Sequence, residues 1–340
     1  MTYQNVITCP RSPISHSIDA TDAAARVRRA VPADARESRW TAADGWEIRV
    51  LQIPARGTSW RRRGAILFMP GRGDCYEKWL ESLNDWADSG WSVTSADWRG
   101  QGLSGRLGGD ATTGHIDDFA TWLADYAGIW TEFVASQPGP HVAIGHSMGG
   151  NLVLRAVAEK RIAPDAVVLS APMLGLHPTW APNALLAPVA QAICAVRGRT
   201  ARAWSGSERP ELVKRARQHL LTHDAARYAD EQWWYQERPG LVMGPASWGW
   251  IRAAIASIRA LERRGVLEKV REPVQILATR RDGLVSWPAI RSAAGRLPAG
   301  ELVAYDEGCA HEILREADPV RAHALAEIEA FLDRVAPARG

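Results

Sequence analysis

The 340-residue chain has few cysteines. Cys9, Cys75, Cys194 and Cys309 are scattered, with no C-x-x-C spacing. Four is too few for a disulfide framework and the spacing is wrong for zinc, so a reducing compartment is expected. No apolar run approaches membrane-spanning length. The N-terminal stretch has no basic segment followed by an apolar one, so no secretory signal is read. A cytoplasmic protein is expected, with peripheral contact at the inner membrane surface as the one lipid association compatible with this. Excess charge is also missing: 41 basic residues against 38 acidic give +3, which does not imply a nucleic-acid partner. Lysine is scarce, at positions Lys78, Lys160, Lys214 and Lys269, so arginine supplies nearly all the positive charge. Repeats and low-complexity tracts are absent as well. What remains is an ordinary globular composition, at a length suiting one large α/β domain with an insertion.

The pattern along the chain supports this. After an N-terminal extension to about Arg36, with one alanine- and arginine-rich helix, Ser38–Ala42 and Trp46–Ile53 flank Ala43-Asp44-Gly45, an Asp-Gly hairpin signal. Gly64–Pro70 is a short apolar run of the kind found in strands buried on both faces. Alternation follows: a helix over Asp74–Ser89, a strand at Trp91–Ala96, a helix over Ile116–Ser136, a strand at His141–Gly145, a helix over Met148–Lys160 and a strand at Ala166–Ser170. Such alternation predicts parallel β-α-β units. Between Ala171 and Ser257 the rhythm breaks into tryptophan-, proline- and arginine-rich sequence that reads as helices and loops. It resumes with Val274–Ala278, a helix near Pro288–Arg296, Glu301–Tyr305 and a last helix over Pro319–Val335.

One junction carries chemistry. Gly145-His146-Ser147-Met148-Gly149 fits G-x-S-x-G, with a strand (HVAIG) before it and a helix (NLVLRAVAEK) after it. A serine on so sharp a turn needs strained backbone angles, and glycines let strand and helix approach closely. Ser147 then sits at a helix N-terminus, where free N–H groups favour developing negative charge.

A serine hydroxyl needs a base to take its proton and a carboxylate to hold that base. With this type of turn the partners follow in the order acid, then histidine. Asp282 lies just past Val274–Ala278 and His311 just past Glu301–Tyr305, so both reach the sheet edge that carries Ser147. Other histidines are weaker candidates. His146 should point away from Ser147, His141 starts the same strand, and His16 and His177 have no supporting context. His115 reads as structural at a helix N-terminus, and His323 lies within the last helix. His219 and His223 are one helical turn apart but lack the glutamate of H-E-x-x-H. Asp306 is too near His311 in sequence, and Glu312 should face elsewhere. Two N–H donors for an oxyanion are expected from Met148, after the nucleophile, and from Arg72, in the turn Pro70-Gly71-Arg72-Gly73-Asp74.

Taken in order, MPGRGDCYEKW (Met69–Trp79), DWRGQGLSGR (Asp97–Arg106), GHSMGGNL (Gly145–Leu152), SAPML (Ser170–Leu174), TRRDGLVS (Thr279–Ser286) and EGCAHEILRE (Glu307–Glu316) resemble the α/β-hydrolase family. The resemblance is to its bacterial lysophospholipase and monoacylglycerol lipase branch, and it covers the chain from about Met69 onward. It implies an α/β-hydrolase fold: a mostly parallel eight-stranded sheet flanked by helices, with a helical cap. The core is expected at 37–170 and 258–340, the extension at 1–36 and the cap at 171–257. The implied activity is cleavage of a small-molecule acyl ester, a lysophospholipid or monoacylglycerol, through an acyl-enzyme, with no metal or organic cofactor. An esterase, acyltransferase or peptidase would use the same three residues. A non-enzymatic binding module would be expected to have lost one of them. One departure stands out: many relatives carry His-Gly where this chain has Pro70-Gly71.

The cap sequence holds Trp180, Leu185, Leu186, Trp204, Trp233, Trp234, Trp248 and Trp250, which suit either an acyl-chain tunnel or packing of the cap onto the core. Arg197, Arg199, Arg202 and Arg209, near Trp204, suit anionic headgroups or plain solvation. Arg72 and Arg99 are both candidates to reach a substrate phosphate; Arg99 also suits a turn that braces the nucleophile loop.

Overall fold

The computed structural model describes residues 18–56, 62–177, 183–204 and 210–337. Eight strands form one sheet: β1 (Arg36–Thr41), β2 (Glu47–Ile53), β3 (Gly64–Met69), β4 (Trp91–Ala96), β5 (His141–His146), β6 (Ala166–Ser170), β7 (Val274–Thr279) and β8 (Gly300–Tyr305). Their order is β1-β2-β4-β3-β5-β6-β7-β8. The β1–β2 and β2–β4 pairs are antiparallel and every other pair is parallel. The Asp-Gly hairpin forms as expected, with Gly45 at φ 84° and the Asp44 carboxylate accepting the Trp46 N–H at 3.1 Å. Every residue of β3, β6 and β7 is buried, as strands covered on both faces require.

Ten α-helices are described: α1 (Ile18–Arg29), α2 (Leu80–Asp88), α3 (Phe119–Ser136), α4 (Met148–Ala158), α5 (Asn183–Arg197), α6 (Pro210–Leu221), α7 (Ala225–Glu237), α8 (Trp248–Glu262), α9 (Trp287–Ala294) and α10 (Asp318–Val335). Crossovers between parallel strands are right-handed. The chain leaves β3 toward β4 on one side and leaves β5 toward β6 on the other, so α2 and α4 lie on opposite faces. In sheets wound this way a crevice is expected where the direction of winding reverses, here outside the carboxyl ends of β3 and β5. The register pairs Met69 with Gly145, which brings the turn after β3 level with the turn after β5.

Two helices differ from expectation. The segment expected as one helix from Asp74 begins as a 3-10 turn, Tyr76–Trp79, before α2. All four residues of that turn are buried, which the single buried face of an amphipathic α-helix could not achieve. Helix α3 starts at Phe119 rather than Ile116, because Asp118 caps it by accepting the Ala120 N–H while Gly114 bridges to Ala246. Between β6 and β7 the described residues form helices and isolated bridges but no strand. Helix α8 packs on α4 and α5, and the expected boundary at residue 257 falls inside it. In the N-terminal extension, α1 packs on α2 and α7, with Arg28 and Arg29 both 2.6 Å from Asp230.

Candidate active site

Ser147 occupies the turn between β5 and α4 with φ 52° and ψ −116°, a conformation costing a non-glycine residue about 1–3 kcal/mol. Surrounding bonds fix it. Its N–H donates to the Ser170 carbonyl at 2.9 Å, and its own carbonyl accepts from Met173 N–H at 2.9 Å and Asn151 N–H at 3.1 Å. Close packing explains the neighbouring glycines. A Cβ on Gly145 would lie 2.8 Å from the Gly149 backbone, and one on Gly149 would lie 2.4 Å from the Met69 carbonyl oxygen.

Past the ends of β7 and β8, His311 Nδ1 and Asp282 Oδ2 are 2.7 Å apart, both residues buried. The other Asp282 oxygen accepts the N–H groups of Leu284 at 2.8 Å and Val285 at 3.0 Å. Burial raises the Asp282 pKa, but the facing His311 and these donors outweigh it and hold it below the usual range. For His311, burial favours the neutral ring; Asp282 outweighs it and raises the pKa above the ordinary value. The His311 ring also packs on the His146 ring, whose residue adjoins Ser147, at a centroid distance of 4.8 Å.

The turn after β3 abuts the same point. A side chain on Gly71 would lie 3.2 Å from Ser147 Cβ. The Asp74 carboxylate holds this turn by accepting from Gly71 N–H at 3.3 Å, Cys75 N–H at 3.2 Å and Trp79 Nε1 at 2.8 Å. Arg72 follows Gly71, and Met148 is the first residue of α4, where a backbone N–H has no acceptor within its own helix.

Beneath this turn lies a buried ionic cluster that no local sequence signal announces. Lys78 Nζ is 3.5 Å from Asp74 Oδ1, 3.5 Å from Glu231 Oε1 on α7, and bonded to Glu312. Arg315 pairs with Glu312, and Arg217 pairs with Glu231 at 2.7 Å. Burial lowers the Lys78 pKa, but Asp74, Glu231 and Glu312 raise it further, so the ammonium stays charged. The turn after β3, the loop bearing His311 and helix α7 thus share one cation.

The structure brings Ser147, Asp282, His311, Arg72 and Met148 to one edge of the sheet, at the ends of β3, β5, β7 and β8. Among their rivals, Asp306 lies 3.8 Å from Arg280 and 3.7 Å from Arg281, and Glu312 turns to Lys78 and Arg315. His115 is buried against Ser247 Oγ at 2.7 Å. His141 bonds the Gln137 carbonyl at 2.9 Å and His323 the Tyr305 hydroxyl at 3.0 Å, while His177 belongs to the loop after β6. His219 is exposed, and His223 pairs with Glu316 at 2.9 Å. Arg99 is bidentate to both Asp125 and Asp44, a brace between segments. Of the tryptophans, Trp234 and Trp250 are buried, Trp233 and Trp248 half-buried and Trp204 exposed. Arg197 is exposed, Arg199 lies 3.5 Å from Asp117, and Arg202 lies 3.1 Å from Asp110. His16, Trp180 and Arg209, and the Leu185 side chain, lie outside the described residues. Among those residues no group of three or more His, Cys, Asp or Glu is disposed to hold a metal ion, and no helix is long and apolar enough to cross a membrane.

A doubly wound sheet with a strained serine turn at its switch point defines a hydrolase of the α/β-hydrolase class. Residues 61–318 match the family described as serine aminopeptidase, S33, and the chain belongs to that family. It is 29% identical over 311 residues to lysophospholipase L2 of Escherichia coli K12, covering 88% of this chain and 87% of the relative. It is 25% identical over 284 residues to a probable lysophospholipase L2 of Haemophilus influenzae, covering 80% and 84%. Among solved structures, a soluble variant of monoglyceride lipase from Saccharomyces cerevisiae superposes with a TM-score of 0.72 at 18% identity, covering 89% of this chain and 96% of that one, a likeness of fold.

Proposed function

We propose that the protein hydrolyses the acyl ester of a lysophospholipid or monoacylglycerol through an acyl-enzyme on Ser147. The 2.7 Å His311–Asp282 pair, at the sheet edge that carries the strained Ser147 turn, supports the reading most directly. In the proposed mechanism His311 takes the hydroxyl proton as Ser147 attacks the ester carbonyl, and Asp282 stabilises the imidazolium. The N–H groups of Arg72 and Met148 receive the oxyanion, and His311 returns the proton to the departing glycerol oxygen. Water then repeats the sequence on the acyl-enzyme. We read residues 171–257 as a cap over the site; in support, the carbonyls of Leu220 and Leu221 in α6 accept the N–H groups of His311 and Glu312 at 3.3 and 2.7 Å. The resemblance to lysophospholipases over most of the chain favours a lipid ester.

Fluorophosphonate labelling followed by intact-mass analysis tests the nucleophile: one adduct is expected on the native protein and none on Ser147→Ala. Labelling that persists in the variant would overturn the assignment. Long-chain lysophospholipid and monoacylglycerol esters should be cleaved faster than acetyl or butyryl esters. The family's description as serine aminopeptidase favours an amide as the second reading; turnover of aminoacyl p-nitroanilides above that of all esters would select it.

A further inference from the structure

Arg72 is unlike the other arginines around the site, which are buried or half-buried as it is. Arg49 faces Glu77 and Asp97, Arg99 faces Asp44 and Asp125, Arg217 faces Glu231, and Arg315 faces Glu312. Arg106 has no carboxylate within salt-bridge distance among the described residues, but its guanidinium donates to carbonyls of Gly102, Gly105, Ala111, Gly240 and Val242. Among the described residues the Arg72 guanidinium makes one hydrogen bond, from Nη2 to the Gly244 carbonyl at 2.8 Å. It lies 5.2 Å from the Trp250 ring and 5.5 Å from the Trp204 ring. Among the same residues its buried Nε has no partner and no carboxylate lies within 4.0 Å of the guanidinium. Burial, with the like charge of Arg217, brings its pKa down to about 10, so it stays protonated near neutrality. A Cβ on Gly114 would come 2.9 Å from Nη2, so the absent side chain there leaves the guanidinium its room.

A cation desolvated without a counter-ion is costly, and the usual compensation is an anion. A guanidinium with free donors offers the planar fork that suits phosphate. The position of Arg72 narrows the choice, because it directly follows the glycine packed against Ser147. On a monoacyl glycerophospholipid, the phosphate and the scissile ester share one glycerol. Arg99, whose fork is filled by two aspartates, cannot play this part.

We propose that Arg72 forms an anion subsite that takes the phosphate of a monoacyl glycerophospholipid, selecting it over a neutral monoacylglycerol. This rests on the acyl-ester reading above, yet it can be tested by binding alone. The probes are two non-hydrolysable ethers, 1-O-octylglycero-3-phosphocholine and 1-O-octylglycerol, with inorganic phosphate as a third arm, titrated calorimetrically into the full chain. The phosphate-bearing ether should bind about 10-fold or more tightly than the neutral one, the scale of a charged hydrogen-bonded contact. Arg72→Gln should abolish the preference and Arg72→Lys retain part of it. Equal affinity of the native protein for the two ethers would overturn the proposal even if Arg72→Gln fails to fold. An undiminished preference in a folded Arg72→Gln would do the same. Inorganic phosphate binding as tightly as the phosphocholine ether would assign the subsite to free phosphate and overturn the lipid assignment. Failure to hydrolyse any acyl ester would defeat the catalytic reading while leaving this comparison intact.

Discussion

The rings of His146 and His311 pack at 4.8 Å between centroids with their planes 59° apart, and the Trp79 ring also packs on His146, at 4.7 Å. Burial, then the nearby His311, Lys78 and Arg315, push the His146 pKa well below the ordinary value, so this ring is neutral. In the proposed mechanism this neutral ring would let His311 become imidazolium without a second charged ring in contact. Truncation in His146→Ala opens a cavity between Trp79 and His311. It is expected to cost about 3 kcal/mol in urea unfolding and to lower kcat about 10-fold or more as the base loses its orientation. His146→Phe, which keeps a ring there, should retain most of both. Equal loss in the two variants would argue against a packing role.

Lys78 offers a second test. Its ammonium offsets Asp74, Glu231 and Glu312, which lie on three separate segments. Lys78→Met keeps the length of the side chain but strands buried carboxylates, at an expected cost of about 3–5 kcal/mol in unfolding free energy. The loss should shrink at low pH, where those carboxylates can take up protons. A loss independent of pH would point to packing instead.

The pH dependence of catalysis follows from the Asp282–His311 pair. In the proposed mechanism His311 must be neutral to accept a proton, and its pKa is raised by Asp282 against the effect of burial. The acid limb of kcat/KM should therefore have its midpoint above about 6.5, the value for free histidine. In Asp282→Asn burial and the Lys78 charge are opposed only by Glu312, so the midpoint should fall, and the lost orientation should reduce kcat about 1,000-fold or more. For stability the sign is opposite. The raised pKa contributes below the unfolded value, and that contribution is lost as pH rises through the folded one.

Gly149→Ala tests the closeness of the two turns. Its Cβ would meet the Met69 and Pro70 carbonyl oxygens at 2.4 and 2.5 Å, both backbone atoms that cannot turn aside. Overpacking of this kind costs about 1–3 kcal/mol. Because the displaced backbone leads into Gly71 and Arg72, the rate of fluorophosphonate labelling should fall much further than thermal stability.

Local pattern was enough for strands β4 and β6, whose bounds coincide with those expected, and for the hairpin built on Asp44-Gly45. It also picked out Ser147, because a glycine-flanked turn between a strand and a helix is a requirement on adjacent residues. Strand alternation brought Asp282 and His311 to the same edge, since parallel strands deliver every following loop to one side. The start of α3 was misjudged because a distant segment, around Ala246, takes over the backbone of Gly114. The ionic cluster around Lys78 was not legible at all: residues 74, 78, 231, 312 and 315 follow no periodicity and meet only when the inserted helices fold onto the core. The sequence left both Arg72 and Arg99 as candidates to reach a substrate phosphate, with a bracing role as the alternative for Arg99. By itself it determined the alternating strands and helices, the strand-free stretch between β6 and β7 and the strand–turn–helix at Ser147, because these follow from short-range patterning. Only the tertiary structure decided which buried charges are paired and which arginine keeps its donors, because charge compensation depends on distances between segments far apart in the chain.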